Sequence, residues 1–341
     1  MKLPFFSKDD GHLAPSIKYI GIPFTTAALA ILGVPGFSAA LIHFLNNTFQ
    51  LHLDFNQSPK AGWAFLVLGV GDFVVEGILS ACRASPFLAL RHESFSPISS
   101  PLHKTDLPLI LRGRKIEESS CDLHTFMPND LEVAVRVQAA WARKAEALRS
   151  VLRAAPVGYY GIVHVPFQFL AGYMISSFTS VNLFELNRSN GKWITLSDSD
   201  GPSLSAAANI TGDLSAQDVA IRIGISYAVL PDQIAAVMPS DFADVSLTIG
   251  SPRIDAITTY RQVRELCSMF RSLLDDPRVR GKNKHIFYAG PVSLGFALGQ
   301  RISSTIHGQV NVYNFNANSP VKYPWSLRLG MQEQDIHVRR F

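Results

Sequence analysis

The stretch KHIFYAGPVSLGFALGQRIS at 284–303, followed by VNVYNFN at 310–316, decides how the rest of the chain is interpreted. Its apolar start ends at Gly-Pro, which predicts a buried strand that stops at a turn. The apolar segment that follows is typical of a helix, and VNVYNFN is typical of a second strand. A strand, a helix and a strand in succession favour parallel pairing in an α/β sheet.

The same order of elements occurs earlier in the chain, at an offset of about 129 residues. The strand-like segment YYGIVHVPF lies at 159–167, a helix-like segment follows, and VNLFELN at 181–187 corresponds to VNVYNFN. Gly172 and Gly299 stand at the same distance before an Ile-Ser-Ser sequence. An internal repeat of this length indicates that a structural unit occurs twice, and this repeat predicts a duplicated α/β unit.

The duplication predicts two fused Rossmann-like units, one at 122–252 and one at 253–341. In this interpretation the apolar segments at 219–230 and 244–252 complete the first unit as two further strands. Residues 85–121 contain several prolines among serine and histidine, which predicts an irregular linker.

Two apolar segments precede the linker, at 19–45 and 61–82. At ~1.5 Å per residue, each is long enough to cross a ~30 Å hydrocarbon core as a helix. Lysine and arginine flank the outer ends of the pair, whereas the connector carries Lys60 alone. The positive-inside rule then predicts a transmembrane hairpin within residues 1–84, with both termini in the cytoplasm. A cleaved signal peptide is the alternative for the first segment.

The second apolar segment carries two acids, Asp72 and Glu76, four residues apart. On a helix this spacing puts both on one face, and facing lipid each costs roughly 2.5–3.5 kcal/mol. They therefore predict either an acidic ring that lines a cation pathway in an oligomer, or pairing with polar residues of the first segment.

Composition and motifs restrict the function classes. Charged residues make up 17% of the 341 residues, below the ~25% of ordinary soluble proteins. The net charge of +4 suits an anionic ligand or membrane surface. The sequence has no P-loop, no strand-to-helix GxGxxG, no zinc-ligand spacing and no nucleophile elbow. We therefore predict no catalytic residue and no metal site.

Ligands of open parallel sheets sit beyond the carboxyl ends of the strands. Gly290 permits close backbone approach there, and Ser293 at a helix start offers free N–H groups to a phosphate. Arg188 could neutralise a phosphate, and Trp193 and Tyr227 could stack on bases. The alternative for each is structural: a helix cap, a solvated turn or a core aromatic residue.

The stretches GIVHVPFQFLAG at 161–172 and KHIFYAGPVSLGFALGQRIS at 284–303, with VNVYNF, resemble the SAVED domain. The resemblance covers about 125–330. That family consists of two fused CARF-like units and occurs in bacterial CBASS antiphage systems. Its members are sensors of cyclic oligonucleotides made by a partner nucleotidyltransferase (a CD-NTase). Ligand binding drives their assembly and switches on a fused effector.

The resemblance implies a pocket across the two CARF-like units. It implies a cyclic tri- or tetranucleotide as ligand, no cofactor, no metal, no DNA, and a homo-oligomer upon ligand binding. The implied ligand-binding residues are His164, Pro166, Phe167, Arg188, Trp193, Ser226, Tyr227, Gly290, Pro291, Ser293, Asn314 and Asn316.

The leading hypothesis is a non-enzymatic CBASS effector in the bacterial inner membrane. The chain would be multi-pass with its SAVED domain in the cytoplasm, and ligand-driven assembly would disrupt the lipid bilayer and cause abortive infection. One alternative is a membrane-anchored CARF-type enzyme that degrades the cyclic oligonucleotide. Another is a passive membrane-anchored adaptor.

Overall fold

The computed structural model describes residues 85–341, with short gaps at 96–97, 99, 153–154, 179, 188–189, 199–200, 240 and 331. The predicted spans at 19–45 and 61–82, with Asp72 and Glu76, lie outside the described residues. Within 85–341, the described helices include none that is both long and apolar enough to cross a bilayer.

The first half of the described region forms a five-stranded sheet with two helices. Its elements, in chain order, are β1 (Phe87–Glu93), β2 (Ile116–Asp122), α1 (Leu131–Val151), β3 (Val157–Ile162), α2 (Val165–Met174), β4 (Val181–Asn187) and β5 (Lys192–Thr195). The strand order is β2-β1-β3-β4-β5. All neighbours pair in parallel except β4 and β5, which are antiparallel.

The second half forms a seven-stranded sheet. Its elements are β6 (Ala207–Gly212), β7 (Asp218–Gly224), α3 (Pro231–Ile234), β8 (Ala243–Thr248), α4 (Tyr260–Asp275), β9 (Asn283–Ala289), α5 (Val292–Gly299), α6 (Ser304–His307), β10 (Val310–Asn314), β11 (Trp325–Arg328) and β12 (His337–Arg340). The order is β12-β11-β10-β9-β7-β8-β6, with β8, β7, β9 and β10 parallel. Short 3-10 turns lie at Lys104–Asp106, Leu109–Leu111, His124–Phe126 and Glu333–Asp335.

The two sheets repeat one strand order. The sequence β2-β1-β3-β4-β5 in the first sheet matches β8-β7-β9-β10-β11 in the second. In both, four parallel strands end at an antiparallel neighbour. The described topology therefore confirms the internal duplication and the α/β class that the sequence predicts.

The predicted unit boundaries, in contrast, are wrong. The segments at 219–230 and 244–252 supply β7 and β8 of the second sheet, because β7 pairs along its whole length with β9. Residues 85–121 are not an irregular linker, since they supply β1 and most of β2 of the first sheet. The apolar run in β1 is four residues long and is followed by prolines, which hid the strand. The chain passes from the first sheet to the second between Thr195 and Ala207.

The two units meet through α2 and α5, which approach each other closely at glycines. A Cβ atom on Gly172 would fall far inside van der Waals contact of the Phe296 carbonyl oxygen, and one on Gly299 would do the same at Phe169. Phe169 and Phe296 each stand three residues before their own glycine, so the contact is reciprocal. Gly172 and Gly299, which occupy equivalent positions of the repeat, therefore lie at the contact between the two units.

Candidate ligand-binding site

A cavity of about 750 Å³ opens at the carboxyl ends of β3, β7, β9 and β10. This volume lies within the range of roughly 300–1,000 Å³ that is typical of small-molecule sites. Loops that follow parallel strands form its walls, as the general rule for α/β sheets predicts. Its lining residues are Phe95, Ile162, Val163, Val165, Gln168, Ser226, Tyr227, Ala228, Val229, Gln233, Ile254, Tyr288, Ala289, Gly290, Val292, Asn314, Phe315 and Tyr323.

Exposed aromatic rings surround this cavity. Phe95, Tyr227 and Phe315 are 60%, 61% and 39% exposed, and all three line it. Every other Phe, Tyr and Trp in the described part of the chain is buried or half-buried. Burying such rings is favourable, so exposed rings that converge on one concave site indicate a binding surface for a flat apolar group.

Neutral amides provide much of the hydrogen-bonding capacity of the wall. Gln168 donates from Nε2 to the Val163 carbonyl oxygen at 2.8 Å, while its Oε1 has no protein partner. Gln233 accepts from the Leu230 N–H at 3.2 Å, and Asn314 stands at the end of β10. Asparagine and glutamine side chains can hydrogen-bond the edges of bases.

The loop that carries Ser226 is anchored on both sides. The Ser226 N–H donates to the Ala289 carbonyl oxygen at 2.8 Å. Arg222 in β7 donates from Nη1 to the Val229 carbonyl oxygen at 2.7 Å. The same guanidinium forms a two-fold contact with the Asp244 carboxylate, Nε to Oδ1 at 2.8 Å and Nη2 to Oδ2 at 2.6 Å. Arg222 therefore holds one wall of the cavity from within the sheet.

The opposite wall begins directly after β1. The Ser94 hydroxyl accepts from the His164 N–H at 2.7 Å and lies 2.8 Å from Nδ1 of the same ring. The Phe95 ring stacks on His164 with 4.2 Å between ring centroids. Burial lowers the pKa of His164 to about 4, so this imidazole is neutral at physiological pH. His164 does not line the cavity itself, but its neighbours Val163 and Val165 do.

The two helix starts at the cavity differ in chemistry. Pro166 and Ser293 each stand six residues before their interface glycine, which makes them counterparts. The Ser293 N–H donates to the Glu185 carboxylate at 2.8 Å, and the Ser293 side chain is completely buried. Pro166 has no N–H to offer. The prediction of free N–H groups at Ser293 is therefore wrong, because a carboxylate from β4 already occupies that N–H.

Gly290 has a packing role at the start of α5. A Cβ atom there would overlap the Tyr288 hydroxyl group. That hydroxyl donates to the Pro291 carbonyl oxygen at 2.6 Å. Burial raises the pKa of Tyr288 well above its ordinary value, so the phenol keeps its proton and this hydrogen bond. The absence of a Cβ thus makes room for a side chain of the cavity wall.

A comparison with family models finds one match, over residues 141–329: SAVED, the SMODS-associated and fused to various effectors sensor domain. The chain belongs to the SAVED family. The match includes every described residue of the cavity wall except Phe95, and it confirms the resemblance that the sequence suggests.

Several solved structures are similar to this SAVED protein. The Acinetobacter baumannii Cap4 SAVED/CARF-domain containing receptor with the cyclic trinucleotide 2'3'3'-cAAA is 13% identical, with 87% of this chain and 66% of that chain covered at a TM-score of 0.49. The same receptor with 3'3'3'-cAAA is 14% identical, with 87% and 66% covered at 0.48. The Moraxella osloensis Cap4 receptor is 12% identical, with 96% and 78% covered at 0.44.

This chain thus spans just under two thirds of the length of the A. baumannii receptors. A comparison with curated proteins finds no match.

Four of the residues predicted for the SAVED pocket line the cavity, namely Ser226, Tyr227, Gly290 and Asn314. Pro291 lies beside it as the N-cap of α5. Asn316 is exposed in the turn after β10, where its N–H donates to the Lys322 carbonyl oxygen, and it does not line the cavity.

Other predicted residues are core residues. Phe167 is completely buried against Trp325, with 5.7 Å between ring centroids, and its neighbour Pro166 is buried too. Trp193 is 3% exposed, packs edge-on to Tyr160 and donates its indole N–H to the Ser100 carbonyl oxygen at 2.7 Å. In this conformation neither Phe167 nor Trp193 presents a ring face to a base. Arg188 lies outside the described residues.

Sequence reasoning missed several residues of the cavity wall: Phe95, Gln168, Gln233, Ile254 and Phe315. Phe315 directly follows β10, so the rule that ligands bind beyond strand carboxyl ends could have found it. Phe95 follows β1 by two residues and was missed because that strand was predicted to be part of a linker. Gln168 and Gln233 carry no such signal, because they lie inside or beside helices whose orientation depends on tertiary packing.

Within the described residues, no group of three or more His, Cys, Asp or Glu side chains is arranged to hold a metal ion. The cavity wall consists of aromatic, aliphatic, hydroxyl and amide groups. Such a wall can stack on flat rings and pair with their edges.

Proposed function

We propose that this protein is a sensor that binds a cyclic oligonucleotide, a cyclic tri- or tetranucleotide made by a partner nucleotidyltransferase. One observation carries the proposal: the exposed aromatic side chains of the described region all line one cavity at the strand carboxyl ends. Base stacking on an aromatic ring contributes about 1–3 kcal/mol per base. Membership of a sensor-domain family supports the same conclusion.

Isothermal titration calorimetry of the full chain in detergent, against a panel of cyclic di-, tri- and tetranucleotides, tests this proposal. The panel includes 2'3'3'- and 3'3'3'-cyclic triadenylate. We expect one ligand per chain, and we expect Tyr227→Ala to weaken binding at least fivefold. Leu109→Ala is the matched control, because Leu109 is 80% exposed and does not line the cavity. If no member of the panel binds, the proposal fails.

We further propose that the sensor controls a membrane effector of a CBASS antiphage system. The support is the sequence of residues 19–45 and 61–82, which has the length, hydropathy and flanking charge of two membrane spans. Ligand-bound sensors would assemble as homo-oligomers in the cytoplasm. Assembly raises the effective concentration of the tethered spans in the bacterial inner membrane. The resulting loss of the membrane barrier would end in abortive infection.

Dye release from liposomes that contain the full chain tests the membrane part. We expect release upon ligand addition for the wild type and none for Tyr227→Ala. The pair Asp72→Asn and Glu76→Gln should change ion selectivity if these acids line a cation pathway. Ligand binding without any release would refute the membrane effector and leave the sensor intact.

We propose a non-enzymatic role. Among the described residues, the cavity wall has no Asp, Glu, His, Lys or Arg that could transfer a proton near neutral pH. Chromatography of the ligand after prolonged incubation with the full chain tests this point. Recovery of intact cyclic ligand is expected, and a linear product would favour the alternative, a CARF-type degradative enzyme.

A further inference from the structure

The wall of the cavity is unusual for a site that meets a polyanion, because its described residues include no charged side chain. Sites that bind nucleic acids through phosphates usually neutralise them with lysine and arginine. The loop that contributes Tyr227 is held by Arg222, but this guanidinium is committed to Asp244 and to the Val229 carbonyl oxygen. Arg222 therefore serves the fold of the wall.

A helix N-terminus is the second common phosphate site, and at both helices of the cavity the second helical position offers no N–H group to a phosphate. At α5 the Ser293 N–H already bonds the Glu185 carboxylate, so a negative charge occupies the position that a phosphate would take. At α2 the counterpart is Pro166, which has no N–H. At this position the N–H group is therefore unavailable in each unit, for a different reason.

What the wall does offer suits bases. Phe95, Tyr227 and Phe315 present exposed rings at the cavity, and the amides of Gln168 and Asn314 lie in its wall. The Gln168 Oε1 atom is buried without a protein partner and lies against Gly295 of α5. Ring faces and neutral amides recognise bases independently of the phosphate charge.

From these observations we propose that the cavity recognises its ligand by the bases, which stack inside the aromatic rim, while the phosphates of the cyclic backbone remain at the mouth in contact with solvent. This inference rests on the proposed function. It adds that the binding free energy is almost independent of phosphate charge.

The test is the salt dependence of affinity, measured with full chain and the cyclic triadenylate that binds more tightly. From 50 to 500 mM NaCl we expect the Kd to change by less than about threefold, since a site without charged phosphate contacts has a slope near zero. A site that pairs two phosphates with cations would lose about 25-fold over the same range. Such a loss would overturn the inference.

Two sets of variants sharpen the test. Gln233→Lys introduces one cation into the same wall and should restore a salt dependence of about fivefold over this range. Phe95→Leu and Phe315→Leu keep apolar bulk but remove the ring face, and each should weaken binding at least fivefold. Unchanged affinity in both leucine variants would also overturn the inference.

The two proposals fail in different ways. Absence of binding by any cyclic oligonucleotide refutes the sensor function and the inference together. Binding that weakens steeply with salt refutes the inference alone and leaves the sensor function in place.

Discussion

A substitution of Arg222, which lies inside the sheet, should change the affinity for the ligand. It forms three hydrogen bonds, two to the Asp244 carboxylate and one to the carbonyl oxygen of Val229 at the end of the loop that carries Ser226 and Tyr227. The two side chains are 15% and 21% exposed, so the pair is largely shielded from water. Arg222→Met would leave the carboxylate without its partner and the loop without its anchor.

The expected loss of stability in Arg222→Met follows from this geometry. Removing one partner of a fully buried ion pair destabilises a protein by about 3–5 kcal/mol. The partial exposure of Asp244 lets water replace part of the interaction, so we expect about 2–3 kcal/mol. Arg222→Lys keeps a charge but cannot form the planar two-fold contact, and should lie between Met and the wild type. Arg222→Met combined with Asp244→Asn should recover part of the loss, because no unpaired charge remains.

Two assays on the full chain separate stability from function. Urea unfolding gives the free energy of unfolding, and calorimetry gives the affinity for the cyclic oligonucleotide under conditions in which each variant is folded. We expect a folded Arg222→Met to bind at least threefold more weakly, because ordering a loose Tyr227 loop costs binding free energy. Wild-type affinity in this folded variant would refute the argument that Arg222 positions the cavity wall.

Three further predictions concern the fold around the cavity. Gly172→Ala and Gly299→Ala should each lower the free energy of unfolding, measured by urea titration, by at least about 1–3 kcal/mol, because the new methyl group overlaps the backbone of the facing helix. Gly281→Ala is the control, since a methyl group there meets open space and should leave stability unchanged. Burial lowers the pKa of His164 to about 4, so below pH 6.5 the unfolded chain binds more protons than the folded protein. The free energy of unfolding should therefore fall by up to about 3 kcal/mol between pH 6.5 and 4. His164→Gln should remove this part of the pH dependence of stability. Trp193→Phe should lower the free energy of unfolding by about 1 kcal/mol, because the indole hydrogen bond is lost. The ligand affinity measured by calorimetry should stay within twofold of the wild type. A large loss of affinity would show that Trp193 contacts the ligand.

The sequence predicts the strands that are apolar throughout and the helices between them. β9, α5 and β10 follow directly from 284–316, and the glycines of the repeat mark the contact between the units. The strand predicted at 159–167 is too long, since β3 ends at Ile162 and α2 begins at Val165. Proline in the first turn of a helix is favourable, so Pro166 marks a helix start and not a strand end.

The position of the cavity could be predicted from the sequence, but several of its contacts could not. The rule that ligands bind beyond strand carboxyl ends points to Ser226, Tyr227 and Asn314, and all three line the cavity. The burial of Trp193 depends on the face of the sheet that the first unit covers, and local sequence does not encode that face. The hydrogen bond from Ser293 to Glu185 joins residues 108 positions apart, so it arises only when the two units pack together.

Photoaffinity labelling tests the central claim that the cavity between the two units is where the cyclic oligonucleotide binds. A photoreactive azido-base derivative of the cyclic oligonucleotide that binds most tightly would be irradiated with the full chain, and the labelled peptides identified by mass spectrometry. We expect labels on the segments that carry Phe95, Tyr227 and Phe315, and we expect unlabelled ligand to suppress all of them. A second groove lies beside α4 and is lined by Arg264, Arg271 and Arg301 among other residues. Labels in that groove that unlabelled ligand suppresses, with none at the cavity, would contradict the claim.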